Sequence, residues 1–271
     1  GNPGFLFSFF MESFMEHDFT SGSVWKKLLL FAVPIFGANL LQALYGTVDL
    51  FVVGLFADAS AVSAVSTGSM TMQTITGIIT GLTMGCTVLL GQNIGKKDEA
   101  AAERTVGSAL WLFVTVGILL AVIVAVLAVG IASVINALAE AFSQTTDYIR
   151  ICGIGIICIV MFNAIGGMFR GLGDARTPLA LMGVACVVNI AGDFALVGAL
   201  KMGVAGAALA TVAVQGILST FLVRIPVSYA MSKVSGVTLF QIGFATPLAT
   251  VFGLILSASC VIYYERKRKK A

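Results

Sequence analysis

Two carboxylates stand where carboxylates are expensive. Asp49 is the only charged residue in the long first apolar stretch before Asp58, and Asp193 is a second isolated acid near the end of another. In hydrocarbon an ionised carboxylate costs several kcal/mol unless it is protonated or coordinated, which makes each a candidate proton or sodium site. Asn189 lies four residues before Asp193 and so shares its helix face, a grouping of oxygen ligands that suits a hard monovalent cation. Gln42 lies two turns before Asp49 on one face, Thr211 and Gln215 repeat the four-residue spacing, and Asn163 adds a further amide. The plainer alternatives stay open here: Asp49 near a helix end can reach headgroup water, and Asn163, Thr211 and Gln215 can serve ordinary interhelical hydrogen bonds. Pro34 lacks an N–H, so it is expected to kink its helix and free the carbonyl of Leu30.

The elements that must position these residues are membrane spans. Apolar residues make up 58% of the chain and charged ones 11%, with a mean hydropathy of +1.01, whereas a soluble domain is about half apolar and a quarter charged. About 20 apolar residues cross a hydrocarbon core of about 30 Å. On that rule spans run from about Trp25 to Phe56, Val62 to Leu90, Ser108 to Ile135, Tyr148 to Phe169, Pro178 to Val197, Gly203 to Val223 and Gly243 to Tyr264. The expected fold is all-α, a polytopic transmembrane bundle with a six-helix N-terminal lobe and about one further span. Gly203, Gly206, Ala207 and Ala210 form a strip of small residues that permits close helix packing in lipid.

Orientation follows from basic residues. Lys26, Lys27, Lys96, Lys97, Arg104, Arg170 and Arg176 fall on one side, while Arg150 and Lys201 fall on the other. The expected N-terminus is cytoplasmic, in a multi-pass protein of the plasma membrane. Seven spans starting inside would then leave the basic tail, Arg266 to Lys270, outside the cell, which conflicts with the same rule. A lost odd number of crossings in a second half would produce that conflict, as would one segment that does not cross.

The net charge of +3 reports topology and points to no nucleic-acid partner. Cys86, Cys152, Cys158, Cys186 and Cys260 lie in apolar runs without the close pairing of a zinc or redox motif. His17, the one histidine, lies in a polar N-terminal stretch, and no phosphate loop or triad gives a basis for an enzyme. Residues Gly1 to Phe10 lack both the length of a span and the basic flank of a signal peptide, and translation is expected from Met11 or Met15.

Several segments together resemble the multidrug and toxic compound extrusion family. They are Pro34-Ile-Phe-Gly-Ala-Asn-Leu-Leu-Gln-Ala-Leu-Tyr-Gly-Thr-Val-Asp49, Gly91-Gln-Asn-Ile-Gly-Lys-Lys-Asp98, Arg170-Gly-Leu-Gly-Asp-Ala-Arg-Thr-Pro178, Asn189-Ile-Ala-Gly-Asp193 and Gly203-Val-Ala-Gly-Ala-Ala-Leu-Ala-Thr211. The resemblance implies export of organic, often cationic, compounds in exchange for protons or sodium, with no other cofactor and no metal beyond sodium. It also implies a cation site of Asp49, Asp193, Asn189, Thr211 and Asn163, with Pro34 bending the first helix. Gln42 and Gln215 are expected to contact the transported compound. The organisation implied is an N-terminal segment over 1–24, a transporter lobe over 25–216 and a remnant of a second lobe over 217–271. A complete member has about twelve helices in two similar lobes, and the seventh to tenth helices and most of the eleventh look absent, with a junction near Gly216 to Thr220. The expected partners are lipid and small organic substrates, with a homodimer as one means of replacing the absent lobe. A non-transporting fragment left by a deletion, a pseudogene or an assembly join is the competing reading. A lipid-intermediate flippase of the same superfamily is a third, which the isolated acids fit less well.

Overall fold

The structure, a computed structural model, describes residues 24–214 and 216. His17, Gln215, Cys260, the junction after Gly216, the expected seventh span and the basic tail lie outside the described residues. Helices α1 (Val24–Phe56), α2 (Ala59–Gly95) and α3 (Glu99–Val134) come first. A short 3-10 turn (Ala139–Ala141) leads into α4 (Phe142–Ile154) and α5 (Ile156–Gly171). Then come α6 (Arg176–Asp193), a π-helical turn (Phe194–Ala199) and α7 (Gly203–Val214). No strand occurs among the described residues.

The 33 residues of α1 extend about 50 Å at about 1.5 Å per residue, more than a hydrocarbon core requires. Trp111, Val126, Ile78 and Phe36 point outward from the bundle, as side chains do when lipid is the solvent. Among the described residues four helices, counting α6 together with its π-helical turn, are long and apolar enough to cross a membrane, and the bent pair of α4 and α5 passes the same test when taken as one span. The sixth expected span is represented by α7, which is too short to cross on its described residues.

One sequence expectation is corrected. The apolar pattern predicts the fourth span as one segment from Tyr148 to Phe169, yet it starts at Phe142 and is broken, α4 and α5 meeting at 53°. Gly155 ends α4 with its N–H on the Ile151 carbonyl at 3.2 Å, and its own carbonyl accepts from the Cys158 N–H at 3.0 Å. Pro34 lies inside α1, which runs from Val24 to Phe56 as one helix.

Small residues set the spacing between helices. Gly167 of α5 sits against α2, where a Cβ would overlap the Thr83 methyl group, and the Thr87 hydroxyl donates to the Gly167 carbonyl at 2.9 Å. Gly68 of α2 faces the ring of Tyr148, and Ser69 and Tyr148 share a hydrogen bond of 3.0 Å. Such contacts hold helices together where the hydrophobic effect offers little help. Asp174 fixes the α5–α6 turn: its Oδ1 accepts from the N–H groups of Arg176 at 2.9 Å and Thr177 at 3.0 Å, satisfying donors that a helix start leaves free.

α1 and α6 run parallel and in register. Leu179 packs on Gly37, Leu41 on Gly183, and Phe56 on Gly198. At the far end Phe56 meets Phe194 edge to face, with ring centroids 6.1 Å apart. α7 returns antiparallel, with Gly206 against Leu196 and Ala210 against Gly192. That arrangement brings α1, α6 and α7 to one depth at Asp49, Asp193 and Thr211.

Candidate cation site and adjoining cleft

The register of α1 against α6 places Asp49 beside Asp193, their carboxyl groups within hydrogen-bonding reach. Asp49 is 4% exposed and Asp193 fully buried, so headgroup water does not account for Asp49. The Thr211 hydroxyl donates to Asp49 Oδ2 across 3.4 Å. Asp49 Oδ1 and both Asp193 oxygens find no protein donor among the described residues, and neither amide atom of Asn189 has a hydrogen-bond partner. Two carboxylates are both acceptors, so neither can satisfy the other until a proton or a cation lies between them. Burying both as free anions would leave the repulsion and the desolvation uncompensated.

A cleft adjoins this pair. Gln42, Asn163, Asn189 and Thr211 supply its polar lining, and Tyr45 and Phe162 face it with aromatic surface. The Asn163 amide donates to the Ile159 carbonyl of its own helix at 2.9 Å, which leaves its oxygen to the cleft. Asn189 and Thr211 belong to both places, since they line the cleft and stand next to the acids. Of the residues singled out in the sequence, the structure thus assembles Asp49, Asp193, Asn189, Thr211, Asn163 and Gln42. Pro34 lies on α1, about four turns from Asp49, and the cleft lining does not include it.

Tyr45 and Phe162 escaped sequence reasoning. Gln42, Tyr45 and Asp49 follow one another at three and four residues, so they share one stripe of α1. That spacing is the available signal for Tyr45. Behind the acids, Tyr148 and Cys152 of α4 are buried one turn apart and lie within the electrostatic range of Asp49. The described residues contain no cluster of three or more His, Cys, Asp or Glu that could hold a metal. What they do contain is a two-acid site with neutral oxygen neighbours.

The MatE family matches residues 34–195, from the proline of α1 to just past Asp193. The chain belongs to the MatE family. A probable multidrug resistance protein of Bacillus subtilis, YoeA, is 31% identical over 205 residues, spanning 74% of this chain and 44% of the relative. A second from the same organism, YpnP, is 29% identical over 201 residues, 74% of this chain and 45% of its own length. The chain therefore spans about half the length of the curated relatives it matches. Among solved structures, a MOP superfamily transporter from Pyrococcus furiosus superposes with a TM-score of 0.71 at 23% identity, covering 87% of this chain and 52% of that one. The outward-facing conformation of a multidrug resistance MATE family transporter gives 0.70 at 22% identity, covering 96% and 55%. The two solved structures share the fold of this chain, and both Bacillus relatives are named as probable multidrug resistance proteins.

Proposed function

We propose that this chain is the ion-coupling lobe of a secondary active transporter that exchanges H+ or Na+ for organic, often cationic, compounds. The observation that carries this reading is the buried contact between Asp49 and Asp193, two acids that need one positive charge between them. With that charge bound, α1 and α6 are drawn together and Thr211 lends a neutral donor. When it leaves, repulsion between the acids favours their separation, which reshapes a cleft lined from α1 by Gln42 and Tyr45 and from α6 by Asn189. A cationic compound entering that cleft competes for the same negative charge. The ion and the compound then favour different arrangements by differential affinity, which is the requirement for coupled exchange.

Residues 25–216 form the lobe in this reading, set in the plasma membrane with a cytoplasmic N-terminus. The exposed Lys96 and Lys97 between α2 and α3, with Arg170 and Arg176 at the α5–α6 turn, support that orientation. A second lobe, or a second copy of the chain, completes the path. The test is competition at equilibrium: binding of ethidium to the purified full chain, followed by its fluorescence, should weaken as sodium or acid is added. Asp193→Asn should remove that competition. Ethidium binding that ignores sodium, pH and the substitution alike would sink the proposal.

A further inference from the structure

The break in the fourth span has a partner. Gly155, where α4 gives way to α5, has no side chain, and a Cβ placed there would overlap Val212 of α7. Its backbone has φ −83° and ψ 0°, open to any residue, so the glycine is required by the closeness of Val212 and not by a left-handed dihedral. The bend opens a notch in the fourth span, and Val212 fills it. One turn further along, a Cβ built on Gly216 would lie 3.3 Å from the sulfur of Cys158. On the other side of α7, Ala210 rests on Gly192 and Gly206 on Leu196. α7 is therefore clamped between two spans by small residues, with Thr211 and Val212 adjacent in sequence at the clamp.

Thr211 donates to Asp49 across 3.4 Å, near the upper limit for a hydrogen bond. A contact that long is sensitive to displacement: a methyl group at Gly155 would overlap all three side-chain carbons of Val212, and moving α7 away by the roughly 1 Å needed to reach ordinary carbon–carbon contact takes the hydroxyl out of range. We propose that Gly155 and Val212 are a positioning pair for the ion site, the seating of Val212 in the bend of the fourth span setting how closely Thr211 approaches Asp49. The inference rests on the reading of Asp49 and Asp193 as a cation site and assigns the fourth span a part in it. It also gives the span a mechanical link between its halves, since α4 carries Tyr148 and Cys152 behind the acids and α5 carries Phe162 and Asn163 in the cleft.

The experiment measures ion affinity of the detergent-purified full chain through its thermal stability. Sodium is varied against choline chloride at fixed ionic strength, and pH is varied without sodium; Asp193, Tyr148 and Cys152 are the titratable neighbours of Asp49, Tyr45 lies one turn before it on α1, and of these only Asp193 is removed, in the acid control. Gly155→Ala should raise the half-saturating sodium concentration about three- to tenfold, the range for losing one long, ordinary hydrogen bond, or move the pH midpoint by a corresponding half to one unit. Thr211→Val should do the same, and the double variant should show no further loss, because both remove one contact. Adding Val212→Ala to Gly155→Ala should return affinity towards wild type by making room for the new methyl group. Should Gly155→Ala fail to fold, Val212→Ile enlarges the same contact from the α7 side and carries the same expectation. A folded Gly155→Ala chain with wild-type affinity, a loss that adds to that of Thr211→Val, or a loss that Val212→Ala leaves untouched each overturns the inference. A wild-type chain indifferent to both ions, or an Asp193→Asn chain that responds as wild type does, overturns the ion site and this inference with it. Failure of the positioning pair alone leaves the Asp193→Asn effect standing.

Discussion

The hydroxyl of Thr211 reaches Asp49 from an antiparallel helix that is separated from it by 162 residues of sequence. It arrives at the depth where α6 ends in Asp193. This contact ties α7 to α1, and the two acids tie α1 to α6, so three spans converge on whatever positive charge lies between the carboxyl groups. Each partner can be removed separately.

The acids come first. A folded chain that holds a shared proton binds more protons near neutral pH than the unfolded chain does. Stability must then fall as pH rises, by about 1.4 kcal/mol per unit for each extra proton held. Sodium should offset that loss by taking the proton's place, with about 1 kcal/mol or more gained once its concentration is several-fold above its dissociation constant. Thermal unfolding across pH and sodium should show both effects. Asp193→Asn should abolish them, and Asp49→Asn should weaken them or move their pH dependence.

Close packing between α2 and α5 gives a second test, independent of ions. At Gly167 a methyl group would overlap Thr83, whereas at Gly77 it would meet nothing within 4 Å. Gly167→Ala should destabilise the chain by about 1–3 kcal/mol through overpacking. Gly77→Ala should be neutral or stabilising, since alanine loses less backbone entropy in a helix. Equal unfolding temperatures for the two variants would contradict this helix spacing.

Topology can be read with reporters. A cysteine-modification or enzymatic tag at Lys97 should report the cytoplasm, and one at Lys201 the outside, because the basic residues gather at the Lys97 side. The reverse result inverts the orientation without altering the ion site.

Transport is the fourth test. Expressed alone in a drug-sensitive host, the chain should give little or no resistance, while a full second lobe joined after Gly216 should restore it, because alternating access needs two bodies moving against each other. Strong resistance from the single chain would instead point to paired copies, detectable as a cross-linked dimer in membranes.

Isolation makes the acids legible in the sequence. Asp49 and Asp193 each interrupt an apolar run, and the cost of a carboxylate in hydrocarbon is enough to single them out. Asn189 follows from helical spacing, and Thr211 from spacing and family resemblance together. Their contact does not follow, because it depends on the parallel register of α1 and α6, written in pairs such as Gly37 with Leu179 that look like any other small and large residues. The break at Gly155 is equally hidden: glycine is common inside membrane helices, and what distinguishes this one is Val212, more than fifty residues away. Tyr45 reads in sequence as an ordinary lipid-facing aromatic residue, and only the packing of α1 against its neighbours sets Asn163 and Asn189 in the same cleft.

The π-helical turn after Asp193 has a consequence for how this segment tolerates change in length. A π turn accommodates one residue more than the α-helix it replaces, so it behaves as a stored insertion. Deleting one residue within Phe194–Ala199 would let the turn relax to α-helix with the helical register on either side retained. Phe194, next to Asp193, packs on Phe56, so the α6 side stays anchored and Asp193 stays beside Asp49. A single deletion here should therefore be far better tolerated than one within Arg176–Asp193, which would turn Asp193 by about 100° against the residues before it.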